Sequence, residues 1–121
     1  MLLQKEISFE LKGNTYSIKF PNVGQILDIE VLKSSLAKGF YSSMQATLNR
    51  DSQFALDVVD CQAYLTVLCP QLMKDLKVPF QELQIEEVIE IRSIFVDKIL
   101  PFIKQWRDII ANIGKEKSDN E

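Results

Sequence analysis

The residues of this sequence that could perform chemistry are carboxylates and two thiols. Four glutamates cluster at Glu82, Glu86, Glu87 and Glu90, and two aspartates, Asp57 and Asp60, lie three positions apart. Acid–base catalysis requires a pocket that keeps such groups apart from solvent. The glutamates also suit the positive end of a helix dipole, and the aspartates suit a solvated helix face. We therefore predict no specific metal site at either group, with unspecific binding of a divalent metal ion as the alternative for the glutamates.

The chain contains no histidine, which excludes His-dependent triads, two-histidine zinc sites and Cys–His dyads. Cys61 and Cys69 are eight residues apart on a predicted helix. That spacing is roughly 12 Å along the helix axis, too far for a disulfide, so buried free thiols are expected. The four glycines are scattered, which excludes a phosphate-cradling loop. We predict no catalytic residue, no cofactor and no enzyme activity.

The composition predicts one soluble globular domain. The chain has 121 residues, of which 46% are hydrophobic and 26% are charged. The net charge of −3 argues against a general nucleic-acid-binding protein, which would carry a basic patch. The sequence has no apolar run long enough for a signal peptide or a membrane span. We expect a protein that binds neither nucleic acid nor membrane.

Apolar and polar residues alternate between positions 5 and 20, which predicts a β-hairpin. One face carries Ile7, Phe9, Leu11, Tyr16, Ile18 and Phe20. The turn is predicted at Gly13 and Asn14, because both residues tolerate a positive φ. Since a two-stranded hairpin is marginal alone in water, its apolar face is expected to cover the helices. Addition of a partner strand along a free edge is the functional alternative.

From Pro21 onward the apolar spacing is helical. Asn22 and Gln25 resemble a capping box, which predicts a helix start. This helix is expected to run to about Lys38, with Gly39 as its C-terminal cap. The predicted fold class is therefore α+β and mostly α, with an N-terminal hairpin followed by a bundle of four to five helices.

Further helices are predicted at 40–48 and from about 51 to 69, with one more helical turn at 71–77. The second of these carries a regular apolar stripe of Phe54, Val58, Cys61, Leu65 and Leu68. We interpret the stripe as core, with a groove for a partner helix as the alternative. A last helical segment begins near residue 84 and is expected to kink or split at Pro101. The domain is predicted to span 1–114, its helical part 22–114, with a charged tail at 115–121.

Large aromatic residues are the candidates for a partner-binding surface. They are Phe40, Tyr41, Phe80, Phe102 and Trp106. Phe40 and Tyr41 are adjacent, so they cannot both point into one core stripe. Tryptophan is enriched among the residues that anchor interfaces, although Trp106 also fits the core side of the last helix.

Three sequence patterns together resemble a known family. The hairpin between Phe9 and Phe20 reads F-x-L-x-G-x-x-Y-x-I-x-F, and Gln25 and Glu30 form Q-x-x-x-x-E on the next helix. The last segment contains ILPFIKQW at 99–106. This arrangement resembles small structural and assembly proteins of tailed bacteriophages, in particular the tail assembly chaperones.

The resemblance implies a non-catalytic assembly protein. Its expected partners are other phage structural proteins, namely the long helical tape-measure protein and the tail-tube subunits, and it could also form a homo-oligomer. The implied location is the host bacterial cytoplasm during assembly. The alternative is a small structural component of the virion: a head, neck, tail accessory or cargo protein.

Overall fold

The computed structural model describes residues 3–47 and 49–119, with side chains up to residue 113. The elements in chain order are β1 (Glu6–Leu11), β2 (Asn14–Lys19), α1 (Val23–Leu36), α2 (Tyr41–Ala46), α3 (Arg50–Leu68), α4 (Pro70–Asp75), a 3₁₀ turn (Phe80–Glu82), α5 (Ile85–Ile94), a π-turn (Phe95–Ile99) and α6 (Leu100–Asp119). The predicted fold class is confirmed. Because α5, the π-turn and α6 form one continuous rod, the described part of the chain contains five helical rods.

The hairpin is antiparallel, with Ile7 opposite Ile18 and Phe9 opposite Tyr16. Its turn lies one residue earlier than predicted. Leu11 faces Asn14, so Lys12 and Gly13 form the turn, with φ angles of 52° and 82°. A two-residue turn with positive φ at both central positions matches the right-handed twist of the strands.

The capping box at the start of α1 is confirmed. The backbone N–H of Gln25 donates to Asn22 Oδ1 over 2.8 Å, and the N–H of Asn22 donates to Gln25 Oε1 over 3.0 Å. The helix ends earlier than predicted, with Ala37 as its C-cap. Gly39 lies two positions beyond that cap, with a φ of 82°, and its N–H donates to the carbonyl of Ser34.

The stripe on α3 lies in the core at its C-terminal end. Cys61, Leu65 and Leu68 are buried, whereas Phe54 and Val58 are half-buried. The core interpretation is thus confirmed for the last two turns. The predicted helix at 40–48 is shorter, ending at residue 46, and residue 48 lies outside the described part of the chain.

The rod from α5 to α6 neither breaks nor splits at Pro101. Instead, the irregularity precedes the proline: the N–H of Leu100 donates to the carbonyl of Phe95, five residues earlier. A proline ring inside a regular helix clashes with the carbonyl four residues before it. The wider π-turn relieves that crowding, which explains why the helical backbone continues across Pro101.

The core forms where the hairpin, α3 and the rod meet. Ile18, Ile99 and Ile103 are fully enclosed, and Phe20 meets Trp106 edge-on with ring centroids 5.6 Å apart. The apolar face of the hairpin therefore covers the helical core, as predicted. The backbone of the predicted tail continues α6 at 115–119, while residues 120 and 121 lie outside the described part.

Candidate partner-binding surface

Phe40 and Tyr41 occupy different environments. The Phe40 side chain is 65% exposed at the start of α2. The Tyr41 ring is half-buried, and its hydroxyl donates to Asp60 Oδ1 on α3 over 2.7 Å. Burial, followed by that hydrogen bond, raises the pKa of Tyr41 well above its usual value. Tyr41 is therefore held by its own chain, whereas a role of Phe40 in partner binding stays a prediction.

The other three candidate aromatics lie in the core. Phe80, Phe102 and Trp106 are only 4%, 2% and 5% exposed. Trp106 is surrounded by aromatic rings, among them Phe102 at 5.8 Å and Tyr64 at 6.4 Å between centroids. These three rings contact the chain's own residues, so the prediction that they form a partner-binding surface does not match their position. Large aromatic side chains bury more apolar area than any others, which favours the core for them here.

A cationic cluster borders this aromatic core. The hydroxyl oxygen of Tyr64 accepts hydrogen bonds from Lys33 Nζ over 3.1 Å and from Arg107 Nη2 over 3.0 Å. Lys33 is 5% exposed, and its ammonium also pairs with Glu30 at 3.0 Å. Burial opposes the charged form of Lys33, but its interactions with Tyr64 and Glu30 prevail and raise its pKa. The cluster ties α1, α3 and α6 together.

The apolar face of α6 continues beyond the packed core. Ile109, Ile110 and Ile113 share the helix face of Phe102 and Trp106, because they follow these residues at intervals of three, four or seven. Yet Ile109, Ile110 and Ile113 are 39%, 54% and 59% exposed. All residues from 107 to 113 are exposed on every side of the helix. We call 107–113 the α6 extension.

Helix α1 also exposes apolar side chains. Val23, Leu27 and Val31, spaced four apart, are 73%, 60% and 70% exposed. The opposite side of α1 carries the buried Ile29 and Lys33. We call Val23, Leu27 and Val31 the α1 outer stripe. Contiguous apolar side chains on the surface are typical of contact sites for other molecules.

Neither apolar surface was among the aromatic candidates from the sequence. A signal for the α1 outer stripe does exist in the sequence, because α1 has apolar residues on both of its sides, so one domain cannot cover them all. The α6 extension carries no such signal. Its isoleucines continue the periodicity of buried positions, and only the end of the surrounding structure distinguishes them.

A cavity of about 470 Å³ lies between the hairpin tip and the segment after α4. Leu72 and Leu83 belong to its apolar lining. The hydroxyl of Tyr16 donates to Asp75 Oδ2 over 2.7 Å, and burial raises the pKa of Tyr16. Apart from Lys77, the polar side chains at this cavity already have partners within the chain, so they do not indicate a particular ligand.

The side chains that could act chemically are dispersed. Among residues 3–47 and 49–113 there is no group of three or more Cys, Asp or Glu side chains that could hold a metal ion. Cys61 and Cys69 are buried free thiols, as expected. Burial raises the pKa of Cys61 to about 12, which keeps the thiol protonated and unreactive at neutral pH.

Within the described ranges, no helix combines the length and the apolar composition that crossing a membrane requires.

Comparison with known proteins provides no further assignment. No protein-family model, no curated protein and no solved structure matches this chain. The surfaces described above therefore carry the functional argument.

Proposed function

We propose that this chain is a non-catalytic bacteriophage assembly protein, most specifically a tail assembly chaperone that shields helical tape-measure or tail-tube clients. The observation that carries the proposal is the exposed apolar face of the α6 extension, with Ile109, Ile110 and Ile113 at helical spacing. An apolar stripe at such a spacing is the usual means by which one helix binds another.

The α1 outer stripe supports the same function. It presents three further aliphatic side chains at intervals of one helical turn. Helical partners dock on such surfaces through anchors at i, i+4 and i+7, so two stripes on one small domain suit a long helical client. The family resemblance of the hairpin and of the 99–106 segment adds the phage context.

The test is co-purification from cells that produce phage tails. The tagged full-length chain should retain the tape-measure protein, identified by mass spectrometry. An Ile110→Ser, Ile113→Ser double variant should lose most of this client because the apolar anchors are gone. Lys19→Glu, an exposed change on the hairpin, serves as the control and should retain it.

Two results would contradict the chaperone proposal. Purified virions could contain this chain in stoichiometric amounts, which would favour the structural-component alternative. If instead the tagged chain retains no phage protein at all, both assembly functions are wrong. Circular dichroism of the double variant must match the parent, so that lost binding is not lost folding.

A further inference from the structure

One exposed strip runs along the rod from α5 to α6. Ile85 and Ile89 are four residues apart on α5, and Val96 follows Ile89 by seven at the start of the π-turn, so the three share one face of the rod. They are 58%, 53% and 40% exposed. This face is therefore open to solvent, although Arg92, which lies on it between Ile89 and Val96, donates to Asp57 Oδ2 on α3 over 2.7 Å.

The strip continues across the π-turn as a groove. Val96, Leu100 and Pro101 line a depression of about 550 Å³, together with Lys104 and Arg107. Val96 shares the face of Ile85 and Ile89 and also lines this groove, so the apolar surface is continuous along the rod. From residue 85 to residue 107 it extends over roughly 30 Å. We call this surface the rod strip.

The two ends of the rod strip carry opposite charges. Glu86 and Glu90 are exposed beside the isoleucines of α5, whereas Lys104 and Arg107 flank the groove. Among the side chains that the structure describes, none of Glu86, Glu90 and Lys104 takes part in an ion pair. Because the charge of Arg92 is balanced by its ion pair on α3, the remaining charges give the strip an acidic apolar end and a basic apolar end, and each is the complement of the other.

We propose that the rod strip binds the rod strip of a second copy of this chain in antiparallel orientation. Antiparallel pairing about a two-fold axis places the acidic end of each copy on the basic end of its partner, so each favourable contact occurs twice. Parallel pairing would bring like charges together. A second copy carries both signs of charge on a helical surface of the same length. We therefore infer that a second copy, rather than another protein, binds the rod strip.

The expected association is weak. A standard stable interface buries about 800 Å² on each partner, and a single pair of helices of this length covers less. Dissociation constants on the order of micromolar are therefore expected. Self-association of this kind goes beyond client binding, because the α1 outer stripe and Ile109, Ile110 and Ile113 lie outside the rod strip and stay accessible.

The experiment measures the dimer dissociation constant of the full chain by sedimentation equilibrium. Glu86→Lys and Lys104→Glu should each weaken the dimer by at least about tenfold, because each places two repulsive contacts in the interface. The Glu86→Lys, Lys104→Glu double variant should recover the parental constant. An equal mixture of the two single variants should also recover it, since each supplies the charge that the other lacks.

Matched controls lie on the outward face of the hairpin. Glu10→Lys and Lys19→Glu make the same charge changes at exposed positions and should leave the constant unchanged. The proposal is overturned if the parent chain stays monomeric up to about 1 mM, or if the single variants dimerise like the parent. It is equally overturned if the double variant dimerises no better than the single variants. None of these results bears on the client test at Ile110 and Ile113.

Discussion

The two halves of α6 present one apolar face to two environments. In the first half, Phe102, Ile103 and Trp106 are at most 5% exposed. In the second half, Ile110 and Ile113 continue the same face and are more than half exposed. Arg107, whose guanidinium donates to Tyr64, lies at the boundary between the halves.

This contrast separates two properties of a helical residue: the face on which it lies, and whether that face is buried. The 3.6-residue period determines which side chains share a face. Whether that face is buried depends on what packs against it, and the hairpin and α3 cover only the first half. A uniform pattern along α6 therefore contains both core positions and solvent-exposed positions.

The largest expected effect is the difference between alanine substitutions in the two halves. Phe102→Ala should lower the free energy of unfolding by about 3–5 kcal/mol, because it removes buried apolar area and leaves a cavity. Ile113→Ala should change it by less than about 0.5 kcal/mol, since the side chain is already in water. Urea denaturation measures both. Equal losses would mean that the second half of α6 packs against the domain.

An intermediate effect is expected at the boundary. Tyr64→Phe removes the oxygen that accepts hydrogen bonds from Lys33 and Arg107, and it leaves the buried ammonium of Lys33 with Glu30 alone. The expected loss is about 1–3 kcal/mol in the free energy of unfolding.

Tyr41→Phe is the matched control for this cluster. It also removes one tyrosine hydroxyl, but from a half-buried ring that donates to Asp60. Tyr41→Phe should lower the free energy of unfolding by less than Tyr64→Phe does. If Tyr64→Phe is no more destabilising than Tyr41→Phe, the cationic cluster does not contribute to anchoring α6 on α3.

The smallest expected effect on stability occurs at alkaline pH, and it tests whether the core around Cys61 excludes water. An unfolded cysteine ionises near pH 9.0, whereas burial holds the pKa of Cys61 at about 12. A raised pKa in the folded state means that stability is complete below pH 9 and falls as the pH rises towards 12. The slope for one such group is about 1.4 kcal/mol per pH unit.

Chemical denaturation at about pH 8 and about pH 10 measures this loss. The raised pKa values of Tyr16 and Tyr41 act in the same direction at still higher pH. Cys61→Ala should be less stable than the parent at about pH 8, but its free energy of unfolding should fall less than that of the parent between about pH 8 and about pH 10. Identical losses in the parent and in Cys61→Ala would show that the thiol is accessible to solvent.

Local sequence signals predicted local structure well. The alternation at 5–20 predicted the hairpin and its inward face, and Asn22 with Gln25 predicted the start of α1. The turn was wrong by one residue because Lys12 adopts a positive φ that its residue type disfavours. The predicted split at Pro101 was also wrong, because the helical backbone continues across the proline through a π-turn that begins at Phe95.

The candidate surface was much less predictable. Aromatic size indicated Phe80, Phe102 and Trp106, yet these rings lie in the core, and aliphatic residues form the exposed stripes. The type of a residue indicates how much free energy its burial would contribute, but it does not indicate which side chains pack against other elements. Ile103 and Ile110 are the same residue on the same face of α6, and only the packing around them differs.

The sequence by itself determined the order of the elements, the inward face of the hairpin and the absence of histidine chemistry. These follow from short-range periodicity and from composition, which act along the chain. The tertiary structure alone decided that α6 extends past the packed core, which of the two apolar sides of α1 is exposed, and that the rod strip has charged ends on one surface. Those properties depend on contacts between residues far apart in sequence, which no local pattern specifies.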